Sequence, residues 1–292
     1  MSSILVSLDG TTGNCDLEDY PATSNYPAAV TYNNGEVLAC GGYDLEDADR
    51  CWSFNGSAWS ALPNSKQKHC RFDSPNVFVT DGWWITGQLQ DRDGGCWMLD
   101  DDGYTSEVYT GSNWKPGPAL PGDEYPGYSC VVNLNATHTF LIGGYPGYQE
   151  DTPVRSDVWI YDWSSQAWTR TGSLIQGRRD HGCVTLDGER ILVAGGYDGG
   201  DGVYYIYSVE IYDATQGTWS SQPDLPRDIN PRAPLLLNWD DQVLALFYGE
   251  DQIYQRSEET GEWSVLDGGR LPGSFQGYNY EKAVLVPGNW SC

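Results

Sequence analysis

Positive charge is scarce in this 292-residue chain: 16 Lys and Arg stand against 41 Asp and Glu, a formal net charge of −25. A surface of that sign repels phosphate backbones and anionic lipid, which sets nucleic acid and membrane insertion aside as partners. Apolar runs are short, and none approaches the ~18 residues of a membrane-spanning helix. The start, Met1-Ser2-Ser3 before a strand-like run, lacks the charged and apolar regions of a signal peptide. A mature domain with its leader removed is therefore expected. Histidine is limited to His69, His138 and His181. No C-x-x-C pair, G-x-S-x-G elbow or phosphate-cradling glycine loop occurs, so zinc, thioredoxin-type, hydrolase and nucleotide chemistry find no footing.

Large rings and turn formers are plentiful. Thirteen Trp, twenty Tyr and six Phe exclude a solvated acidic tail. Thirty-five Gly and sixteen Pro among β-branched and aromatic runs read as many short strands joined by tight turns.

One phrase recurs. Ile191-Leu192-Val193-Ala194-Gly195-Gly196-Tyr197 is followed by Val209-Glu210-Ile211-Tyr212-Asp213 and then Trp219. The same pattern stands at Val37–Tyr43 with Phe54 and Trp59, and at Phe140–Tyr145 with Tyr161 and Trp168. Degraded copies occupy Trp83–Gln88 with Tyr109 and Trp114, and Leu244–Gly249 with Trp263, where Gln88, Tyr248 and Arg256 depart from the pattern. A period near 50 residues marks an array of stacked units. Ser3–Glu18 matches the last part of a unit and Ser274–Cys292 the first part, so the two ends are expected to complete one unit between them.

The glycine pair, the later aromatic and the tryptophan resemble Kelch repeats over essentially the whole chain. The resemblance implies an all-β, six-bladed Kelch-type β-propeller with four-stranded antiparallel blades. As a single domain over 1–292 it would have blades near 26–65, 70–122, 125–174, 178–227 and 230–273, the last being 274–292 with 1–22. The glycines supply left-handed backbone or close approach, and the tryptophans fill the space between blades. Cys40-Gly41-Gly42 with Cys51 is more closely similar to secreted invertebrate Kelch proteins.

Eight cysteines is an even number, and three sequons are present at Asn55, Asn135 and Asn289. Together they favour a secreted, disulfide-bonded glycoprotein. In the expected blades Cys40 and Cys51 share a hairpin, and Cys70 and Cys96 lie on one face of blade two. Cys130 and Cys183 occupy equivalent innermost positions, bridged or left as buried thiols, and Cys15 with Cys292 would lock the shared blade.

Loops between second and third strands, on the same face as the inter-blade links, gather acids, tyrosines and arginines. A ligand-binding face is expected at Tyr43, Asp44, Asp91, Asp93, Tyr145, Arg178, Arg179, His181, Tyr197 and Asp198. Tyrosine gives rigid amphipathic area and arginine gives forked donors. The expected role is a secreted, non-catalytic module binding an extracellular protein or glycan. An acidic, calcium-associated matrix protein is the alternative, and an enzyme with a metal or acid site at the channel mouth the third reading. No cofactor is required, with calcium the one candidate, at the Gly199–Gly202 turn among others.

Overall fold

The computed structural model describes residues 3–5, 15–18, 20–21, 28–31, 36–41, 49–66, 76–79, 82–86, 106–121, 128–145, 153–198, 204–239 and 241–270. Every regular element among them is a β-strand, and every strand pairing is antiparallel. Five four-stranded sheets follow one another, each a meander in chain order, preceded by a two-stranded sheet of Ser3–Leu5 and Cys15–Leu17. Each four-stranded sheet falls within one internal repeat: blade one spans Ala28–Ala61, blade two Asn76–Pro116, blade three Cys130–Arg170, blade four Gly182–Gln222 and blade five Leu235–Arg270. The described residues up to Leu120 form one compact unit and those from Pro121 onward a second. The expected completion of the last blade by 274–292 lies outside the described residues.

The second strands show why the apolar runs are continuous rather than alternating. Val37–Cys40 and Ile191–Ala194 are buried at every position. Successive side chains of a strand point to opposite faces. Ile191 and Val193 pack with Phe140, Ile142 and Val158 of blade three, whereas Leu192 and Ala194 pack with Leu236, Val243 and Ala245 of blade five. Blade four is thus apolar on both faces because a neighbour covers each. Burial fades toward the fourth strand, which is mostly exposed in blades three and four.

The repeated aromatic and tryptophan are directly opposed cross-strand partners. Phe54 pairs with Trp59, Tyr109 with Trp114, Tyr161 with Trp168 and Tyr212 with Trp219. Their ring centroids lie 5.0–5.2 Å apart. The indoles also reach backwards. Trp59 Nε1 donates to the Glu18 carbonyl at 3.0 Å, Trp114 to Pro63 at 2.9 Å and Trp219 to Gly172 at 2.8 Å. A tryptophan therefore latches its blade to the chain segment that precedes it. Blade five breaks the scheme: Arg256 stands opposite Trp263, whose buried indole N–H has no partner.

Glycine is required where the second strand turns. Gly195 has φ +72°, and a Cβ there would stand 2.4 Å from the Pro231 carbonyl oxygen. Gly143 has φ +60° and leaves a similar 2.8 Å to the Arg178 carbonyl oxygen. Both positions carry the inter-blade link against the blade it serves.

Two disulfides are described. Cys40 and Cys51 are directly opposed across one hairpin with Cα atoms 4.1 Å apart. Cys130 and Cys183 join the first strands of blades three and four, 6.1 Å apart at Cα, which resolves the choice between bridge and buried thiols. Cys70 and Cys96 lie outside the described residues, as does Cys292, the expected partner of Cys15.

Candidate functional site

The links entering blades three, four and five share an unusual backbone. Tyr128, Asp180 and Ala233 adopt φ of 57°, 48° and 47°, left-handed values that non-glycine residues seldom take. They stand just before the three first strands, and they hydrogen-bond in series. Asp180 N donates to the Tyr128 carbonyl at 3.0 Å, and Ala233 N to the Asp180 carbonyl at 2.6 Å. Strain of this kind costs on the order of 1–3 kcal/mol per residue and persists where surrounding contacts over-determine it.

That series places arginines in equivalent positions. Arg232 precedes Ala233, and its Nε lies 3.0 Å from Asp180 Oδ2. Arg179 precedes Asp180, so its corresponding partner is residue 128, which is tyrosine instead of an acid. The Arg179 guanidinium stacks accordingly, 4.4 Å from the Tyr145 ring centroid, 4.2 Å from Tyr197 and 5.7 Å from Tyr128. No carboxylate among the described residues pairs with it, and its Nε is buried without an acceptor. Two-way backbone bonding with Tyr197, at 3.1 and 3.0 Å, fixes the Arg179 backbone. Tyr205 then bridges Tyr197 from the far side of the loop.

The neighbouring charges are strongly perturbed. Burial pushes the Asp180 carboxyl up, against the pull of Arg232 and Arg179. Burial, then the Asp180 carboxylate, raises the Tyr197 phenol to about 12, so its hydroxyl stays protonated. Burial and then Arg178 lower the His181 imidazole to about 3, leaving it neutral. Its side chain is wedged between Gly143 and Gly196, and neither ring nitrogen has a well-formed hydrogen bond.

Of the residues expected on the binding face, Tyr145, Arg179 and Tyr197 come together in one cluster, with Asp198 next in the loop. Tyr43, Asp44, Asp91 and Asp93 lie outside the described residues. Arg178 requires a correction. It is fully buried, with Nη2 2.6 Å from Glu210 Oε1, and it bonds the Gly195 and Ser208 carbonyls. Adjacent residues of an extended link point opposite ways, so Arg179 reaches the tyrosines while Arg178 enters the protein. Removing Arg178 would therefore lower the melting temperature. His181, 7% exposed, is likewise interior. Tyr128 and Asp180 were missed, although the alignment of Gly127-Tyr128, Arg179-Asp180 and Arg232-Ala233 across three repeats marks them. Among the described residues no group of three or more His, Cys, Asp or Glu is placed to hold a metal ion.

The buried His181 makes stability pH-dependent. Its folded value lies below the unfolded 6.5, so the unfolded state binds the extra proton and stability falls as pH drops from about 6.5 toward 3. Between pH 7 and pH 5 the histidine should cost about 2 kcal/mol. Asp180, shifted up, acts in the opposite sense. Urea unfolding of wild type and His181→Asn at both pH values isolates the histidine: the variant should lose less stability on acidification by about that amount.

A Kelch motif model matches residues 177–226, the stretch that carries Arg178 to Trp219. The human Kelch-like protein 35 is 28% identical over 120 residues, 41% of this chain and 18% of that protein. An F-box/kelch-repeat protein of Arabidopsis thaliana is 26% identical over 148 residues, 47% of this chain and 35% of that one. The matched stretches thus span well under half of these relatives' own length. A solved structure of YjhT superposes with a TM-score of 0.66 at 12% identity, covering 85% of each chain. Blade topology, glycine pairs and opposed Tyr–Trp pairs agree with these likenesses: the fold is a Kelch-type β-propeller, with a Kelch motif at residues 177–226.

Proposed function

We propose that this protein is a non-catalytic binding module, secreted, whose Arg179 cluster receives a carboxylate-bearing extracellular protein or glycan. One observation carries the reading: a guanidinium held in place by two tyrosine rings, with its repeat-equivalent acidic partner replaced by tyrosine. Stacking fixes the plane of the fork without using its terminal Nη donors, which remain for a planar anion. Arg232 is already paired with Asp180, so it steadies the site while Arg179 meets the ligand.

Calorimetric titration with a short glutamate-rich peptide, and with a lysine-rich peptide of equal length, tests this. The acidic peptide should bind, and Arg179→Ala should weaken it at least tenfold, as expected for loss of a charged hydrogen-bonding group worth ~1.5–3 kcal/mol. The lysine peptide should not bind. Equal binding of the acidic peptide by Arg179→Ala, or no binding to wild type, overturns the proposal.

A further inference from the structure

We propose that Asn55 and Asn135 are N-glycosylation acceptors, and that the glycan on Asn135 stands at the end of blade three remote from the Arg179 cluster. The assignment rests on which amide nitrogens the fold leaves free. Asn55 Oδ1 accepts from Ser57 N at 3.0 Å, Ser57 Oγ at 2.9 Å and Ala58 N at 3.0 Å. Asn135 Oδ1 accepts from Thr137 N at 3.0 Å, Thr137 Oγ1 at 3.0 Å and His138 N at 3.1 Å. Two backbone donors converging on one atom fix it as the oxygen, so Nδ2 is the other atom of each amide. Neither Nδ2 makes a hydrogen bond, and both residues are exposed in hairpin turns.

Other asparagines behave differently. Asn64 donates its Nδ2 to Asp49, Asn113 to Ser112, and Asn238 to the Thr185 and Leu186 carbonyls. None of these three is followed by the hydroxyl residue of a sequon. At Asn55 and Asn135 that hydroxyl donates to the amide oxygen, which occupies the oxygen and makes the Nδ2–H more acidic, so that the bond to sugar forms at nitrogen as its proton leaves. In the transfer, a sugar diphospholipid donor loses its C1–O bond as the Nδ2–C1 bond forms. The diphospholipid leaves with the electron pair, and Nδ2 gives up one proton.

Placement follows from the meander. Asn135 lies in the turn between the first and second strands of blade three, whereas Tyr128 precedes the first and Tyr145 follows the second. At about 3.3 Å per residue the turn is roughly 20 Å from the tyrosines. A glycan there projects away from the Arg179 cluster.

The full chain, directed through a eukaryotic secretory pathway and recovered from the medium, tests this by mass spectrometry. Enzymatic release of the glycans in heavy-oxygen water should convert Asn55 and Asn135 to labelled aspartate. Ser57→Ala and Thr137→Ala, which keep the asparagines, should each abolish label at the corresponding site. Unlabelled Asn55 or Asn135 in secreted, folded protein, or retention of the chain without glycans, overturns the assignment at that residue. Glycosylated and enzymatically deglycosylated protein should bind the acidic peptide equally, and weaker binding by the glycosylated form overturns the placement. The label is read without any ligand, so failure of the Arg179 proposal leaves this test intact.

Discussion

Replacing Glu210 with alanine is expected to remove about 3–5 kcal/mol of stability, the cost of leaving a buried charge without its partner. Arg178 is 0% and Glu210 2% exposed at the side chain, so neither has water to fall back on. Burial lowers the Arg178 pKa and Glu210 opposes that shift. An arginine does not escape by losing its proton, so the orphaned charge would have to open the protein. Glu210 has a second duty, accepting the Ile175 N–H at 2.7 Å and the Gln176 N–H at 3.1 Å. Three variants separate the two roles in urea denaturation. Glu210→Gln keeps an acceptor and should lose less than Glu210→Ala. The double change Arg178→Met with Glu210→Leu removes the charges but strands two amides, so it should recover only part of the loss. Full recovery would show that the amides matter little and that charge alone sets the cost.

Loss of the Cys130–Cys183 bridge should be nearly as severe, and worse than loss of Cys40–Cys51. The two bridges span sequence separations of 53 and 11 residues. Constraint of the unfolded chain grows with the logarithm of loop length, giving roughly 4 kcal/mol for the longer loop and roughly 3 for the shorter. Native packing widens the difference. The Cys40–Cys51 pair belongs to a hairpin that strand pairing already holds, whereas Cys130–Cys183 ties two blades at the links that carry Tyr128 and Arg179. Paired serine substitutions, Cys130→Ser with Cys183→Ser against Cys40→Ser with Cys51→Ser, compare the two by chemical denaturation. The first pair should also weaken the acidic peptide; an equal or smaller loss of stability from the first pair would count against the bridge as the stronger brace.

The strands and their pairing partners were legible because the repeats carry a physical signature at each position. Four apolar residues before a glycine pair fit a strand covered on both faces, and a Tyr or Phe a few residues before a Trp gives the opposed rings of Tyr212 and Trp219. The ligand cluster was only half legible. Tyr145, Arg179 and Tyr197 could be placed in loops on one face, but nothing in the pair Arg178-Arg179 says which side chain turns inward. The clue lay elsewhere, in Glu210. An acid between Val209 and Ile211 reads as a solvent-facing residue of a half-buried strand, yet both faces of this strand are covered. The same register in blade two holds Glu107, also 2% exposed, whose Oε1 accepts the Lys66 N–H at 3.1 Å. An acid recurring before an apolar residue and a tyrosine, as Glu107-Val108-Tyr109 and Glu210-Ile211-Tyr212, therefore marks a strap for the preceding link. Arginine had to be matched to such a strap before its direction could be known.

The backward reach of the tryptophans also sets a clock on synthesis. Pro63 waits for Trp114 and Gly172 for Trp219, separations of 51 and 47 residues. At ~5–20 residues per second, a ribosome needs on the order of 3–10 s to make that stretch. For that interval each finished sheet has one flank and one trailing segment still unsecured while its successor is being made. The nascent chain thus closes in instalments, and its most vulnerable part is always the repeat completed last.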